Sequence, residues 1–275
     1  MIELPEAVTL ARQIAATIGG RRIRKVTAAH SPHKFAWFYG DPQAYHDRLA
    51  GRTIERATAY GGMVAIGAGD AVILLGDGVG LRYHPAGAAL PEKHQLLLEL
   101  DDGAAVSATV QMYGGLWSFR EGEFENPYYR IAQEKPFPLS EAFDAAHWQR
   151  LLEGADLRKL SAKAFLATEQ RIPGLGNGVL QEILWEAAVH PKRKLAALSG
   201  AERAELFRAV RTVLARMAEA GGRDTEKDFF GKPGGYATVM SKHRVGRPCP
   251  RCGGMIKKET YLGGSVYYCE GCQAV

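Results

Sequence analysis

CPRCGGMIKKETYLGGSVYYCEGC, residues 249–272, contains all four cysteines of this 275-residue chain. They form two Cys-x-x-Cys pairs separated by sixteen residues, which is the spacing of a tetrahedral four-thiolate zinc site. Glycine pairs near both ends of the separating segment leave room for one β-hairpin. We therefore predict a zinc finger that depends on its metal to fold, with one structural Zn²⁺ bound by Cys249, Cys252, Cys269 and Cys272.

Two disulfide bonds are the alternative interpretation of the same four cysteines. Disulfides persist in oxidising compartments, whereas the start of this chain carries Glu3 and Glu6 where an export signal would carry Lys or Arg. The longest apolar runs, such as Ala71–Leu75, are too short to span a membrane. We therefore expect a cytoplasmic protein, and this expectation favours zinc over disulfides.

A basic patch precedes and enters the cysteine segment. Between residues 242 and 258 the chain carries six basic residues and no acidic one until Glu259, within a chain of net charge +5. The six are Lys242, Arg244, Arg247, Arg251, Lys257 and Lys258. A merely solvated face usually mixes both signs of charge, whereas a single-sign patch attracts phosphates. We predict contacts with nucleic acid, with Arg244 and Arg247 as ligands.

Length and composition suit roughly two domains and a terminal module. Hydrophobic residues make up 46% of the chain, which is enough for sizeable cores. The pattern of apolar residues changes from strand-like to helical in the middle of the chain. We predict an α+β protein with a helix and β-sandwich domain at 1–134, a helical domain at 135–240 and the zinc finger at 241–275.

The first part of the chain has the pattern of one helix followed by strands. Pro5 lies in the first turn of an apolar stripe of helical spacing that Gly19-Gly20 ends, so Glu3 lies just before a helix start. Turn residues at 67–70 and 101–103 then separate short apolar runs, as in β-hairpins. Several hairpins in series indicate a β-sandwich.

The second part of the chain has helical periodicity. One apolar stripe lies at 180–187, and another at 206–217 follows a capping box that begins at Ser199. Before the first stripe, the glycine-rich turn Ile172–Asn177 leads into a helix, and we predict that Asn177 caps it. Such a turn exposes N–H groups at the positive end of a helix dipole, which suits a phosphate.

In combination, these motifs resemble the formamidopyrimidine-DNA glycosylase and endonuclease VIII family along nearly the whole chain and in the same order. The segment Glu3–Glu6 is similar to the start of that family, and Lys135–Ser140 is similar to its interdomain link. Gly174–Gly178 with His190-Pro191 resembles its helix–two-turns–helix motif, and the cysteine segment resembles its zinc finger.

The resemblance implies a DNA repair enzyme that binds bent double-stranded DNA between two domains and flips a damaged base into a pocket. Asn177 and Lys163 would then hold phosphates beside the flipped nucleotide, and Phe119 would be the aromatic wedge that fills the gap. Glu3 would be the acid/base at the deoxyribose, and Glu6 of the same motif is a further candidate catalytic residue.

The chain departs from the family where the chemistry should take place. Ile2 stands where the family exposes a terminal proline amine as nucleophile, and a bulky second residue favours retention of Met1. Gly62 stands where the family has a lysine, and Gly264 and Trp117 stand where it has arginines. We therefore do not expect efficient cleavage of the DNA strand at abasic sites (AP-lyase activity).

Two functions from different classes fit this pattern. In the first, Glu3 activates a water molecule or stabilises an oxocarbenium-like sugar, and the Met1 amine is an alternative nucleophile. In the second, the protein is a non-catalytic reader of abasic or distorted DNA. A binder has little use for a carboxylate facing phosphodiesters, so Glu3 favours the enzyme, which we expect to act as a monomer.

The segment His30–Tyr39 combines two histidines, a lysine and several aromatic residues. This mixture suits stacking on a base beside a phosphate contact, and we predict Lys34 as a phosphate ligand. The alternative is an ordinary edge strand of the sheet.

Overall fold

The computed structural model describes residues 1–274 and combines helices with two mainly antiparallel β-sheets. Its α-helices are α1 (Leu4–Ile18), α2 (Tyr45–Leu49), α3 (Pro127–Glu134), α4 (Ala145–Glu153), α5 (Ala162–Ala167), α6 (Asn177–Glu186) and α7 (Gly200–Glu219). Its strands are β1 (Ile23–Ala28), β2 (Ala36–Trp37), β3 (Ile54–Tyr60), β4 (Met63–Ala68), β5 (Ala71–His84), β6 (Leu96–Leu100), β7 (Ala105–Arg120), β8 (Ile256–Tyr261) and β9 (Gly264–Cys269). None of the helices in this range is long and apolar enough to cross a membrane.

Helix α1 lies between the large sheet and the helical part of the molecule. Glu3 and Glu6 form a capping box at its N-terminus, and the helix ends before Gly19, as predicted. Its apolar side chains pack into the core of the sheet, whereas Leu4 belongs to the core of the helices. The first residues of the chain therefore lie where the two cores meet.

The large sheet has seven strands, in the order β1-β6-β7-β5-β4-β3, with β2 pairing in parallel with β7. The hairpins predicted at 67–70 and 101–103 are confirmed as the β4–β5 and β6–β7 connections. Strands β5 and β7 run through both halves of the sheet, and a bulge interrupts their pairing between Asp77 and Val79. Side chains from both halves meet in one core, as in the expected sandwich.

Helices α4 to α7 enclose a second core. The apolar stripes predicted at 180–187 and 206–217 are buried there, and the capping box at Ser199 begins α7 as predicted. The β8–β9 hairpin has a small core of its own against Trp185 of α6. The α+β fold class is thereby confirmed, while the domain boundaries at 134/135 and 240/241 remain predictions.

Candidate active site and nucleic-acid interface

Glu3 lies at the start of two helices at once. Its side chain is 6% exposed; Oε1 accepts a hydrogen bond from the backbone N of Gly178 and Oε2 accepts one from Val179, both at 2.9 Å. Glu3 therefore caps α6 from the other end of the chain, at the positive end of its dipole. The prediction that Asn177 caps α6 is wrong, because Asn177 is the first residue of that helix and its side chain points to β9.

Two glycines of the turn before and within α6 make room for this arrangement. A Cβ atom on Gly176 would lie 2.6 Å from Cδ of Glu3, and one on Gly178 would lie 1.6 Å from Nη1 of Arg223. Neither position can carry a side chain without displacing the carboxylate or its partner. The glycine-rich turn found in the sequence is thus a requirement of the buried site.

Arg223, in the loop after α7, neutralises the buried acidic residues. It is 3% exposed, and Nη1 donates to Oε1 of Glu3 at 3.2 Å while Nη2 donates to Oε2 of Glu6 at 2.8 Å. Burial by itself lowers the pKa of Arg223, but Glu3 and Glu6 outweigh this effect and the pKa is raised. Sequence reasoning missed Arg223, because no local pattern links it to residues more than 200 positions away.

The N-terminus lies directly beside this cluster. Ile2 is buried in the core of the sheet, and its backbone N donates to the carbonyl O of Asp77 at 2.8 Å. The ammonium group of Met1 forms an ion pair with Glu226, and the hydroxyl of Tyr113 lies 3.9 Å from Sδ of Met1. The terminal amine therefore lies one residue outside the position occupied by Ile2, at the molecular surface.

A cleft of about 380 Å³ opens next to the N-terminus, a volume in the range of small-molecule sites. Its walls come from the start of the chain, from β5 and β7, and from the loop after α7. The lining includes Met1, Ile2, Glu6, Gly78, His84 and Glu226. The predicted catalytic residues Met1 and Glu6 line the cleft, and Glu3 lies behind them.

The four cysteines form one cluster at the base of the β8–β9 hairpin. Their Sγ atoms all lie within 4.8 Å of one another, with Cys249 and Cys272 at 3.8 Å and Cys252 and Cys269 at 3.4 Å. Four thiolates around one metal with Zn–S bonds of about 2.3 Å would be separated by about 3.8 Å. The cysteines therefore fit a single metal ion, in agreement with the predicted ligand set.

Comparisons with known proteins agree with this arrangement. Residues 1–109 match the family described as "Formamidopyrimidine-DNA glycosylase N-terminal domain". A protein of Alkalilimnicola ehrlichii named formamidopyrimidine-DNA glycosylase is 34% identical, over 99% of this chain and 100% of the relative. The chain belongs to the formamidopyrimidine-DNA glycosylase family. A relative of that name in Laribacter hongkongensis is 32% identical, over 99% of this chain and 100% of its own length.

Solved structures of the family have the same fold. The MutM (FPG) protein of Thermus thermophilus superposes with a TM-score of 0.80 and 26% identity, covering 98% of each chain. The Lactococcus lactis Fpg, solved in complex with DNA containing an abasic site, superposes with a TM-score of 0.83 and 24% identity. That superposition covers 99% of this chain and 100% of the Fpg chain.

In this family member, the two predicted phosphate ligands are brought together under the tip of the β8–β9 hairpin. Nζ of Lys163 donates to the carbonyl O of Tyr261 at 2.5 Å, and Nδ2 of Asn177 donates to that of Ser265 at 2.7 Å. A Cβ on Gly264, where the family resemblance places an arginine, would lie 3.4 Å from Nζ of Lys163. Backbone carbonyls of the hairpin therefore occupy donors that the prediction assigned to phosphate.

The predicted wedge, Phe119, is in the wrong place for insertion into DNA. It is 2% exposed and stacks on Phe124 with ring centroids 4.5 Å apart, so filling a gap in a duplex would require it to leave its core cluster. Met112, by contrast, is 66% exposed on β7. Pairing of β2 with β7 places the exposed side chain of Trp37 on the neighbouring strand, and the exposed Phe35 lies in the turn just before it.

Some of the predicted basic residues are exposed to solvent, whereas others already bind groups of the protein. Lys34, Arg244 and Arg247 are exposed, as a phosphate contact requires. Nε of Arg244 also donates to the carbonyl O of Thr238 at 3.1 Å, whereas Arg247 forms no ion pair within residues 1–274. Arg251 instead lies over the ring of Trp185 at 4.4 Å and donates to the backbone of α6. Lys257 pairs with Glu270. The basic patch thus serves partly to attach the hairpin to the protein.

Proposed function

We propose that this protein is a DNA N-glycosylase that binds damaged double-stranded DNA and hydrolyses the bond between a damaged base and its deoxyribose. The relatives over the whole chain bear the name of such an enzyme. The structural observation that carries the proposal is the buried Glu3 carboxylate, paired with the Arg223 guanidinium behind a cleft of about 380 Å³. An anion fixed beside the sugar would stabilise the positive charge that develops at C1′.

The cleft supports a mechanism in which the damaged base leaves the DNA stack. A base inside a duplex is out of reach of an enzyme, and the cleft has both backbone and side-chain polar groups at its wall. We assign Lys34, Asn177, Lys163, Arg244 and Arg247 to contacts with the phosphates of the duplex. Asn177 and Lys163 would exchange their hairpin carbonyls for phosphate oxygens when DNA binds.

The N-terminus supports hydrolysis rather than strand cleavage as the main reaction. Ile2 is buried and its nitrogen is bonded to Asp77, so it offers no free amine. The Met1 ammonium is paired with Glu226 and must lose a proton before it can attack C1′. We therefore propose a glycosylase with weak AP-lyase activity.

The metal in this proposal is one structural Zn²⁺. The distances between the four Sγ atoms fit a tetrahedral site, and Cys249 also accepts a hydrogen bond from Nε1 of Trp185 at 3.4 Å. A donor to the thiolate orients the ligand. The metal would hold the hairpin against α6 and take no part in the reaction.

The alternative, a non-catalytic reader of distorted DNA, is not favoured. The replaced positions Ile2, Gly62 and Gly264 are the argument for it. However, the chain retains a buried carboxylate with a dedicated cation, and a pair of this kind has no use in phosphate binding.

The test is base release from duplexes that carry an oxidised purine, an oxidised pyrimidine or uracil, followed by liquid chromatography. We expect release from at least one of them, and Glu3→Gln should reduce it strongly while the affinity for that duplex persists. Borohydride treatment should trap little covalent adduct if water is the nucleophile. Binding of all these duplexes without any base release would refute the enzyme and favour the reader.

A further inference from the structure

Asp77 has an unusual backbone conformation in β5, the strand whose following residues form one wall of the cleft. Its φ angle is +60°, in the left-handed region that few residues other than glycine adopt. It lies opposite Gly114 of β7, where the bulge between Asp77 and Val79 interrupts the pairing of the two longest strands. Bulges and left-handed residues in a sheet often aim a side chain at a functional site.

The neighbours of Asp77 are the groups of the active site. Its carbonyl accepts the hydrogen bond from the backbone N of Ile2, and the next residue, Gly78, lines the cleft. Burial raises the pKa of Tyr113, and the nearby charges of Asp77 and Glu3 raise it further. The two carboxylates therefore lie on the same side of the molecule, around the first residues of the chain.

The carboxylates differ in how much of their hydrogen-bonding capacity is in use. Glu3 accepts bonds from two backbone N–H groups and from Arg223. Glu6 accepts two bonds from the guanidinium of Arg223 and further ones from backbone N–H groups. The side chain of Asp77 is half-buried, and no hydrogen bond or ion pair joins its carboxylate to any residue between 1 and 274. Asp77 is thus the carboxylate with free acceptor sites.

We propose that Asp77 is the general base of the glycosylase reaction and that Glu3 acts as a fixed negative charge. This inference rests on the proposed function. The oxygen of a water molecule attacks C1′ of the deoxyribose while its proton passes to the Asp77 carboxylate. The C1′–N bond breaks, and its electron pair leaves with the base. Asp77 then returns the proton, through solvent, to the departing base, so that one water molecule is consumed and the carboxylate is regenerated.

The burial of Asp77 determines the expected pH dependence. Tyr113 on β7 interacts with the charge of Asp77, and the first residues of the chain, which include Glu3 and the Met1 ammonium, lie beside its backbone. The Met1 ammonium is itself paired with Glu226 from the loop after α7. Burial raises the pKa of Asp77. The base must be ionised to accept a proton, so the rate of base release should fall as the pH is lowered through this raised pKa.

Two substitutions separate catalysis from folding. Asparagine tolerates a left-handed conformation and glycine prefers it, so Asp77→Asn and Asp77→Gly should both fold, and Asp77→Gly should be at least as stable as the natural protein. Both should release base about 10²–10⁴-fold more slowly in single turnover, the usual contribution of a general base. Both should lose the acidic limb of the pH profile. Asp101→Asn, in the β6–β7 turn, is the matched control.

The outcomes distinguish this inference from the function on which it rests. If the natural protein releases a base and Asp77→Asn does so at the same rate with the same pH profile, Asp77 is not the base and the glycosylase stands. If the natural protein releases no base from any of the lesion duplexes, both are overturned. A slow Asp77→Asn variant that keeps its affinity for the duplex supports the inference.

Discussion

Arg223 is the counter-ion of two buried carboxylates. Glu3 and Glu6 are both buried, and the guanidinium between them is the positive charge that both contact. A buried ion pair contributes little net stability compared with apolar residues, but the loss of one partner leaves an uncompensated charge. The small net gain in stability agrees with the catalytic role proposed for Glu3.

We expect Arg223→Met to destabilise the fold by about 3–5 kcal/mol, because it leaves two carboxylates buried without a counter-ion. Urea unfolding at neutral pH measures this change. Arg150→Met is the control, since Arg150 is exposed on α4 and its loss should change the free energy of unfolding by less than about 0.5 kcal/mol. An equal, small change in both variants would show that the buried cluster does not need its cation.

At the scale of elements, α6 connects the candidate active site to the β8–β9 hairpin and to the loop after α7. Glu3 caps its first turn, and Gln181 accepts from the backbone N of Tyr267 in β9. Glu182 is fully buried and accepts from the backbone N of Val239 and Met240. Helix α6 thus forms hydrogen bonds through polar side chains on its buried face. These bonds fix the orientation of the helix, which an apolar stripe alone would not do.

Glu182 predicts a pH dependence of stability. Burial raises its pKa from 4.5 to about 7, although the backbone hydrogen bonds act in the opposite direction. The folded protein therefore binds this proton more tightly than the unfolded chain, so the stabilisation is complete below about pH 4.5 and is lost as the pH rises through about 7.

The measurement is the free energy of unfolding of the natural protein and of Glu182→Gln between pH 5 and pH 8. An uncharged glutamine keeps an oxygen for the two backbone donors, so its stability should lack this component. The difference between the two proteins should move in favour of the variant as the pH rises, by an amount on the order of 2–3 kcal/mol. A constant difference over this range would contradict the raised pKa.

At the scale of the whole molecule, the sheet, the helices and the hairpin meet around the first and last segments of the chain. The start of the chain contacts β5 and α6, and the hairpin contacts α5 and α6. Unfolding of the hairpin or of the first residues should therefore disturb the candidate active site through α6, which both segments contact.

Removal of the metal tests this connection. We expect one zinc per chain by mass spectrometry of the metal, and we expect chelation to lower the melting temperature and weaken DNA binding. The reason is that the hairpin would lose its fold, and Arg247, whose carbonyl O accepts from the backbone N of Ile256 in β8, would lose its position as a proposed phosphate ligand. A chelator already saturated with zinc is the control. Metal-free protein with unchanged affinity would show that the hairpin is not needed for binding.

The basic patch gives a further prediction at this scale. Arg247→Ala should lower the slope of log affinity against log salt by about one unit, because one phosphate contact is lost. Arg251→Ala should leave the slope nearly unchanged, since its guanidinium already binds Trp185 and the backbone of α6. Equal slopes for Arg247→Ala and the natural protein would remove Arg247 from the interface.

The features that the sequence determined by itself are local ones. The cysteine spacing, the capping box of α7, the hairpin turns and the limits of α1 each depend on residues within about one element, and the structure confirms them. Local steric and hydrogen-bonding preferences are strong enough at these positions to act without tertiary contacts.

Which residues contact one another in the candidate active site, and which side chains are exposed, was decided by the tertiary structure. Glu3 rather than Asn177 caps α6, Arg223 pairs with Glu3 across 220 positions, and Phe119 is buried while Met112 is exposed. The conformation of Asp77 depends on a bulge between two long strands. Each of these features depends on which segments, distant in the sequence, pack against each other in the fold. No short-range sequence pattern encodes such packing, because burial and strand pairing are set by the whole fold.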